Sequence, residues 1–114
     1  MTIIPERIVD IDSDVNIVVN LLTEHNTEGL WTKVSSVVKA LSITAPIPDY
    51  LNGLTEDIRA TILVLAFFRK YLTNIEVVWI DIEKKAKKAI AKKCPNLDIE
   101  GAISNVQNVL ARNS

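Results

Sequence analysis

This sequence predicts an all-α fold, a small bundle of about five helices packed around a central apolar helix at residues 56–73. Three observations lead there. Residues 58–70 read IRATILVLAFFRK and are apolar on every side, with nine uncharged residues in a row from Ala60 to Phe68. A helix that is hydrophobic all round must be wrapped by other helices. Crossing a membrane takes about 20 apolar residues, so this run is too short to span one. Around it, apolar residues recur at spacings of three, four and seven, and no convincing set of alternating runs remains to build a sheet.

Taken in order, residues 1–12 alternate weakly and contain Pro5, which fits an extended N-terminal arm; residues 13–114 form the single helical domain. Asp12 or Ser13 can cap a first helix in DVNIVVNLLTEHN, where Val15, Val18, Val19 and Leu22 fall on one face, although the β-branched run makes a strand a competitor. The helical period stops at TEGLW, where Gly29 is free to take positive φ, and Thr32 can cap the next helix, with its stripe of Val34, Val37, Val38 and Leu41. SITAPIPDYLNGL, with two prolines and an Asn-Gly pair, reads as a surface connection.

Thr55 is placed to cap the central helix. Glu56 and Asp57 in its first turn and Arg69 and Lys70 in its last give the charge order a helix dipole favours. A fourth helix runs through EVVWIDIEKKAKKAIAKK, with Trp79, Ile82, Ala86, Ala89 and Ile90 on one side and Pro95 closing it. Asp98 starts a fifth, where Ile99, Ala102, Ile103, Val106 and Leu110 repeat at helical spacing.

The chain has 114 residues, one domain's worth, and can bury a core without disulfides or metals. Its one cysteine, Cys94, cannot form an internal disulfide, and MTIIPERIVD lacks the basic start and apolar run of a signal peptide, so a cytoplasmic location is expected. Charge is divided unevenly. Residues 1–57 carry nine acids and three bases, whereas residues 58–114 carry five acids and ten bases.

The residues offer little for catalysis, and no enzyme, cofactor or metal is expected. Asp10, Asp12 and Asp14 occupy the first, third and fifth positions of a calcium loop, but Val15 stands where the sharp-turn glycine belongs and Leu21 where the bidentate glutamate belongs. His25 has no second histidine or cysteine at ligand spacing, which argues against a zinc site. A nucleophilic Cys94 or serine would need a base beside it, and one histidine gives few ways to supply it. Gly29, Gly53 and Gly101 are too dispersed to cradle a phosphate.

Surplus hydrophobicity points instead to a protein partner. Trp31, Tyr50, Val77, Val78 and Trp79 lie at helix ends or off the regular stripes, where aromatic residues often serve as interface anchors; ordinary core closure competes at Trp31 and Tyr50. Lys84, Lys85, Lys87, Lys88 and Lys92 cover a broad face of the fourth helix. Of these, Lys84, Lys85, Lys88 and Lys92 are the candidate polyanion-binding set. Glu76, Asp81 and Glu83 precede them, so a solvated, dipole-matched helix shows the same pattern.

Three stretches in order resemble the C-terminal helical, vault-interaction region of the VIT and von Willebrand A domain proteins, the group that includes the vault poly(ADP-ribose) polymerase. LLTEHNTEGLW supplies Gly29 and Trp31 of an Asp-Gly-x-Trp-like turn, with Glu28 for the aspartate. Ala60 and Thr61 followed by ILVLAFFRKYL match the family's apolar helix with a basic end, and Trp79 with Lys85 and Ala86 matches a Trp followed by a Lys-Ala pair. The likeness covers Leu21 to Ile90. It departs at Arg59 and Ala89, where the family has Trp, and at Val78, where it has an acid. The resemblance implies a docking module that binds major vault protein. The alternatives are a nucleic-acid-binding domain using the lysine face of residues 84–92, or a homo-oligomerising structural piece.

Overall fold

The computed structural model describes residues 15–23, 25, 29–41 and 53–110. The expected arm at 1–12, with Asp10 and Asp12, lies outside the described residues, as do Asp14 and most of the connection around Tyr50. Among the described residues the fold is all-α, with five helices and no strand. These are α1 (15–22), α2 (Val34–Leu41), α3 (Glu56–Tyr71), α4 (Glu76–Lys93) and α5 (Ile99–Val109).

The 16 residues of α3 form a rod about 24 Å long. Ile58 and every residue from Ala60 to Phe68 are buried, which is the all-round burial its composition demands. Sealing each large side chain from water favours folding by about 1.5–3 kcal/mol before chain entropy is subtracted. The other helices pack around this rod, α5 and α2 most extensively.

Thr55 holds the N-cap position of α3 in extended geometry, but its hydroxyl makes no capping bond. It donates to the Asp57 carboxylate instead, and the same carboxylate accepts the Ile58 N–H at 2.8 Å. The neighbouring acid, Glu56, accepts the Val34 N–H at 3.0 Å, so the start of α2 is capped from 22 residues away rather than by Thr32. A carboxylate beside a helix N-terminus meets both its unsatisfied donors and its dipole.

After Tyr71 the chain reverses through a single 3-10 turn, Thr73–Ile75, into α4. α4 ends at Lys93, because Cys94 precedes Pro95 and is pushed to extended backbone (φ −134°, ψ 73°). Asp98 caps α5 by accepting the Gly101 N–H at 3.0 Å. α5 finishes beside the last turn of α3, where the Leu110 carbonyl accepts from Lys70 Nζ at 2.7 Å and from the Tyr71 hydroxyl at 3.4 Å.

α1 buries a different face from the one its pattern suggested. Val18 and Leu21 are in the core, while Val19 and Leu22 are exposed. The Leu21 carbonyl, in the last turn of α1, accepts the Trp31 indole N–H at 2.8 Å. Gly29 has φ +92°, a conformation L side chains rarely adopt, and it turns Leu30 and Trp31 into the core. Trp31 is then fixed to α3, its backbone N–H donating to the buried Thr61 hydroxyl at 3.0 Å.

Candidate functional site

The structure places both tryptophans inside the core, in line with core closure at Trp31 and against an exposed interface anchor at either position. Trp31 is 1% exposed and Trp79 is 2%. The two flank Phe68, with Trp31 meeting it edge-on at 6.5 Å between ring centroids and Trp79 stacking on it at 5.4 Å. Each indole N–H also closes a helix end: Trp31 donates to Leu21 O, and Trp79 donates to Leu72 O at 2.7 Å. The Leu21 carbonyl belongs to a last helical turn, whose carbonyls lack intrahelical partners, and the Leu72 carbonyl accepts the Ile75 N–H at 3.1 Å as well as the indole. Both residues are therefore structural closures, and Tyr50 lies outside the described residues.

Val77 and Val78 remain as surface residues. Val77 is 86% exposed, the most of any large apolar residue described, and Val78 is 37% exposed. They occupy the first turn of α4, directly after the reversal that ends α3. Val109, 50% exposed, lies at the same end of the bundle, since Leu110 is tied to Lys70 and Tyr71. Sequence reading missed Val109 because it sits at the edge of the regular α5 stripe, and only the docking of Leu110 on α3 brings it to this end.

The lysines divide into two sets. Lys84, Lys85, Lys88 and Lys92 are exposed and make no ion pair among the described residues. Lys87 pairs with Glu100 at 3.1 Å and Lys93 pairs with Asp57 at 2.7 Å. Lys85 also lies against backbone, since a methyl group placed on Gly29 would come within 3.0 Å of its Cγ.

The one buried charged residue among those described, Glu83, belongs to a clasp across three helices. Arg69 of α3 donates through Nε to Glu83 of α4 at 2.7 Å and through a terminal nitrogen to Glu100 of α5 at 2.9 Å. Glu83 is 5% exposed. Its bond holds the Arg69 guanidinium above its ordinary pKa; burial opposes that, and Glu100 reinforces it. Hydrogen bonds from Arg69 and then Lys87 hold the Glu100 carboxyl below its usual value. At Asp57 burial is the largest influence and would raise the pKa. It is outweighed by the bonds from Lys93, Thr55 and the Ile58 N–H, which leave the carboxyl lowered.

A cavity of about 200 Å³ between the end of α1 and α2 is lined by Leu21, Trp31, Thr32, Lys33, Ser36 and Val37, which supply one cation and two hydroxyls on apolar walls. Among the described residues no three His, Cys, Asp or Glu side chains gather at metal-binding distance, and no helix is long and apolar enough to cross a membrane. Compared with family models, curated proteins and solved structures, the chain matches none.

Proposed function

We propose that this chain is a non-enzymatic helical protein-interaction module, of the kind that docks on major vault protein, and that it makes contact through the apolar end of the bundle. The observation that carries the reading is the exposure of Val77, Val78 and Val109 at that end, while the described tryptophans and phenylalanines are buried. Exposed apolar side chains are an incentive for association, because covering them releases water at about 25 cal/mol per Å². With no strand edge among the described residues, the partner meets a helix face or the turn between helices.

Co-purification with major vault protein tests the proposal. The intact chain should retain the vault protein, and Val77→Ser with Val78→Ser should lose most of it while keeping its helical circular dichroism. An intact chain that retains no vault protein removes the named partner. A double-serine variant that retains it undiminished removes the apolar end as the contact.

A further inference from the structure

The exposed face of α4 carries two kinds of chemistry in sequence along one line. At about 100° per residue, Val77, Asp81, Lys84, Lys88 and Lys92 share a meridian, with Val78 and Lys85 at its edge, opposite Trp79, Ala86 and Ile90. All seven residues of this face are exposed, and the opposing three are buried. Lys84, Lys88 and Lys92 stand about 6 Å apart along the axis, and Val77 lies about 10 Å before the first of them. The basic residues the fold uses lie off this row, Lys87 on its flank and Lys93 in the last turn on the side of Ala86, and are paired with Glu100 and Asp57. The four lysines on the open face form no ion pair among the described residues, Asp81 on the same face included.

We propose that this face seats an acidic protein segment with an apolar residue or pair at one end, its acids set one helical turn apart against Lys84, Lys88 and Lys92 and its apolar end on Val77 and Val78. The inference rests on the interaction-module reading and names the chemistry of the partner. Charge complementarity selects the acidic class. Asp81, between the valines and the lysines, selects against a uniform polyanion, because a continuous phosphate backbone would set a charge against a carboxylate and another against Val77. The face also presents no aromatic ring on which a base could stack. Lys85 is partly ordered before any partner arrives, its stem lying on Gly29, which reduces the side-chain entropy lost on binding.

The test uses the whole chain and three labelled probes read by fluorescence anisotropy at low and at physiological salt. One probe is a helical peptide with glutamates every fourth residue along one face and two leucines at one end. The second has serines for the leucines, and the third is a short DNA duplex. The leucine-bearing peptide should bind best. Lys84→Gln with Lys88→Gln and Lys92→Gln should weaken it about tenfold and flatten its salt dependence. Val77→Ser with Val78→Ser should weaken it several-fold and leave the salt dependence in place.

Equal binding of the two peptides overturns the proposal, as does DNA bound as tightly as the first peptide or a glutamine variant that binds like the intact chain. All substituted residues are exposed, and circular dichroism of each variant confirms that the fold persists. Vault protein retained equally by the glutamine variant overturns the acidic-segment inference and leaves the module reading standing. Peptide binding by a chain that retains no vault protein supports the inference and removes only the named partner.

Discussion

At the start of α3, Glu56 reaches the Val34 N–H of α2 and Asp57 reaches Lys93 of α4, whereas near its end Val77, Val78 and Val109 stand in solvent. The first end uses its charges inside the molecule. The second leaves apolar surface outside it. Acids in the first turn of a helix are usually credited with serving that helix's own dipole. Here their carboxylates also tie two other helices to the rod; the far end is tied as well, through Arg69 and Lys70, and differs in leaving valines in solvent beside those ties.

The largest expected effect comes from breaking the seam between Trp31 and Trp79. Phe68→Ala removes the ring both tryptophans contact and should cost about 3–5 kcal/mol in denaturant unfolding. A loss below about 1 kcal/mol would mean that the two tryptophans pack independently of it.

Removing the carboxylate at the three-helix clasp, by Glu83→Ala, should cost about 1–3 kcal/mol. The penalty stays below the roughly 3–5 kcal/mol of a stranded buried charge, because Arg69 keeps Glu100. Combining Glu83→Ala with Glu100→Ala should exceed the sum of the single losses, since together they strand Arg69.

Asp57→Asn should lower stability by about 0.5–1 kcal/mol at neutral pH, the pair with Lys93 being partly exposed. Asp57 and Glu100 are both held below their ordinary values of 3.8 and 4.5, so their contributions are present above those values and fade as pH falls through the lowered ones. Thermal unfolding followed from pH 6 downward should show the gap between the intact chain and Asp57→Asn closing below about pH 4. A gap that widened on acidification would reverse the assignment. The smallest effect on the fold belongs to the open end, where Val77→Ser should change stability by less than about 0.5 kcal/mol while reducing partner capture. A loss well above that would show the valine to be packed.

The main features of the fold were legible where local pattern and burial agree. The uninterrupted run Ala60 to Phe68 required wrapping on all sides, Pro95 set the end of α4, and Asp98 with a donor three residues on marked the start of α5. The face of α1 was not legible, because adjacent apolar pairs, Val18 with Val19 and Leu21 with Leu22, suit either face, and tertiary packing buries Val18 and Leu21. Thr55 and Thr32 have the right residue type for caps, but the Thr55 hydroxyl turns to Asp57 two residues on, and the start of α2 is met by Glu56 through tertiary packing. Helical periodicity sets Trp79 on the apolar side of α4 with Ala86 and Ile90; its place at the helix head suggests an anchor, and the bond to Leu72 O holds it inside. Val77 and Val78, two residues and one residue before Trp79, lie on a face already turned from the core, which leaves them outside.

The paired indoles flanking Phe68 also make the protein its own optical reporter. Trp31 is lodged between the end of α1 and α3, while Trp79 is lodged between α3 and α4, so each senses a different seam. With Trp31→Phe or Trp79→Phe, the remaining indole's emission would follow one seam at a time. If the α1–α2 segment peels away before the α3–α5 core melts, the Trp31 signal should redden first; loss in a single step would shift both at the same denaturant concentration.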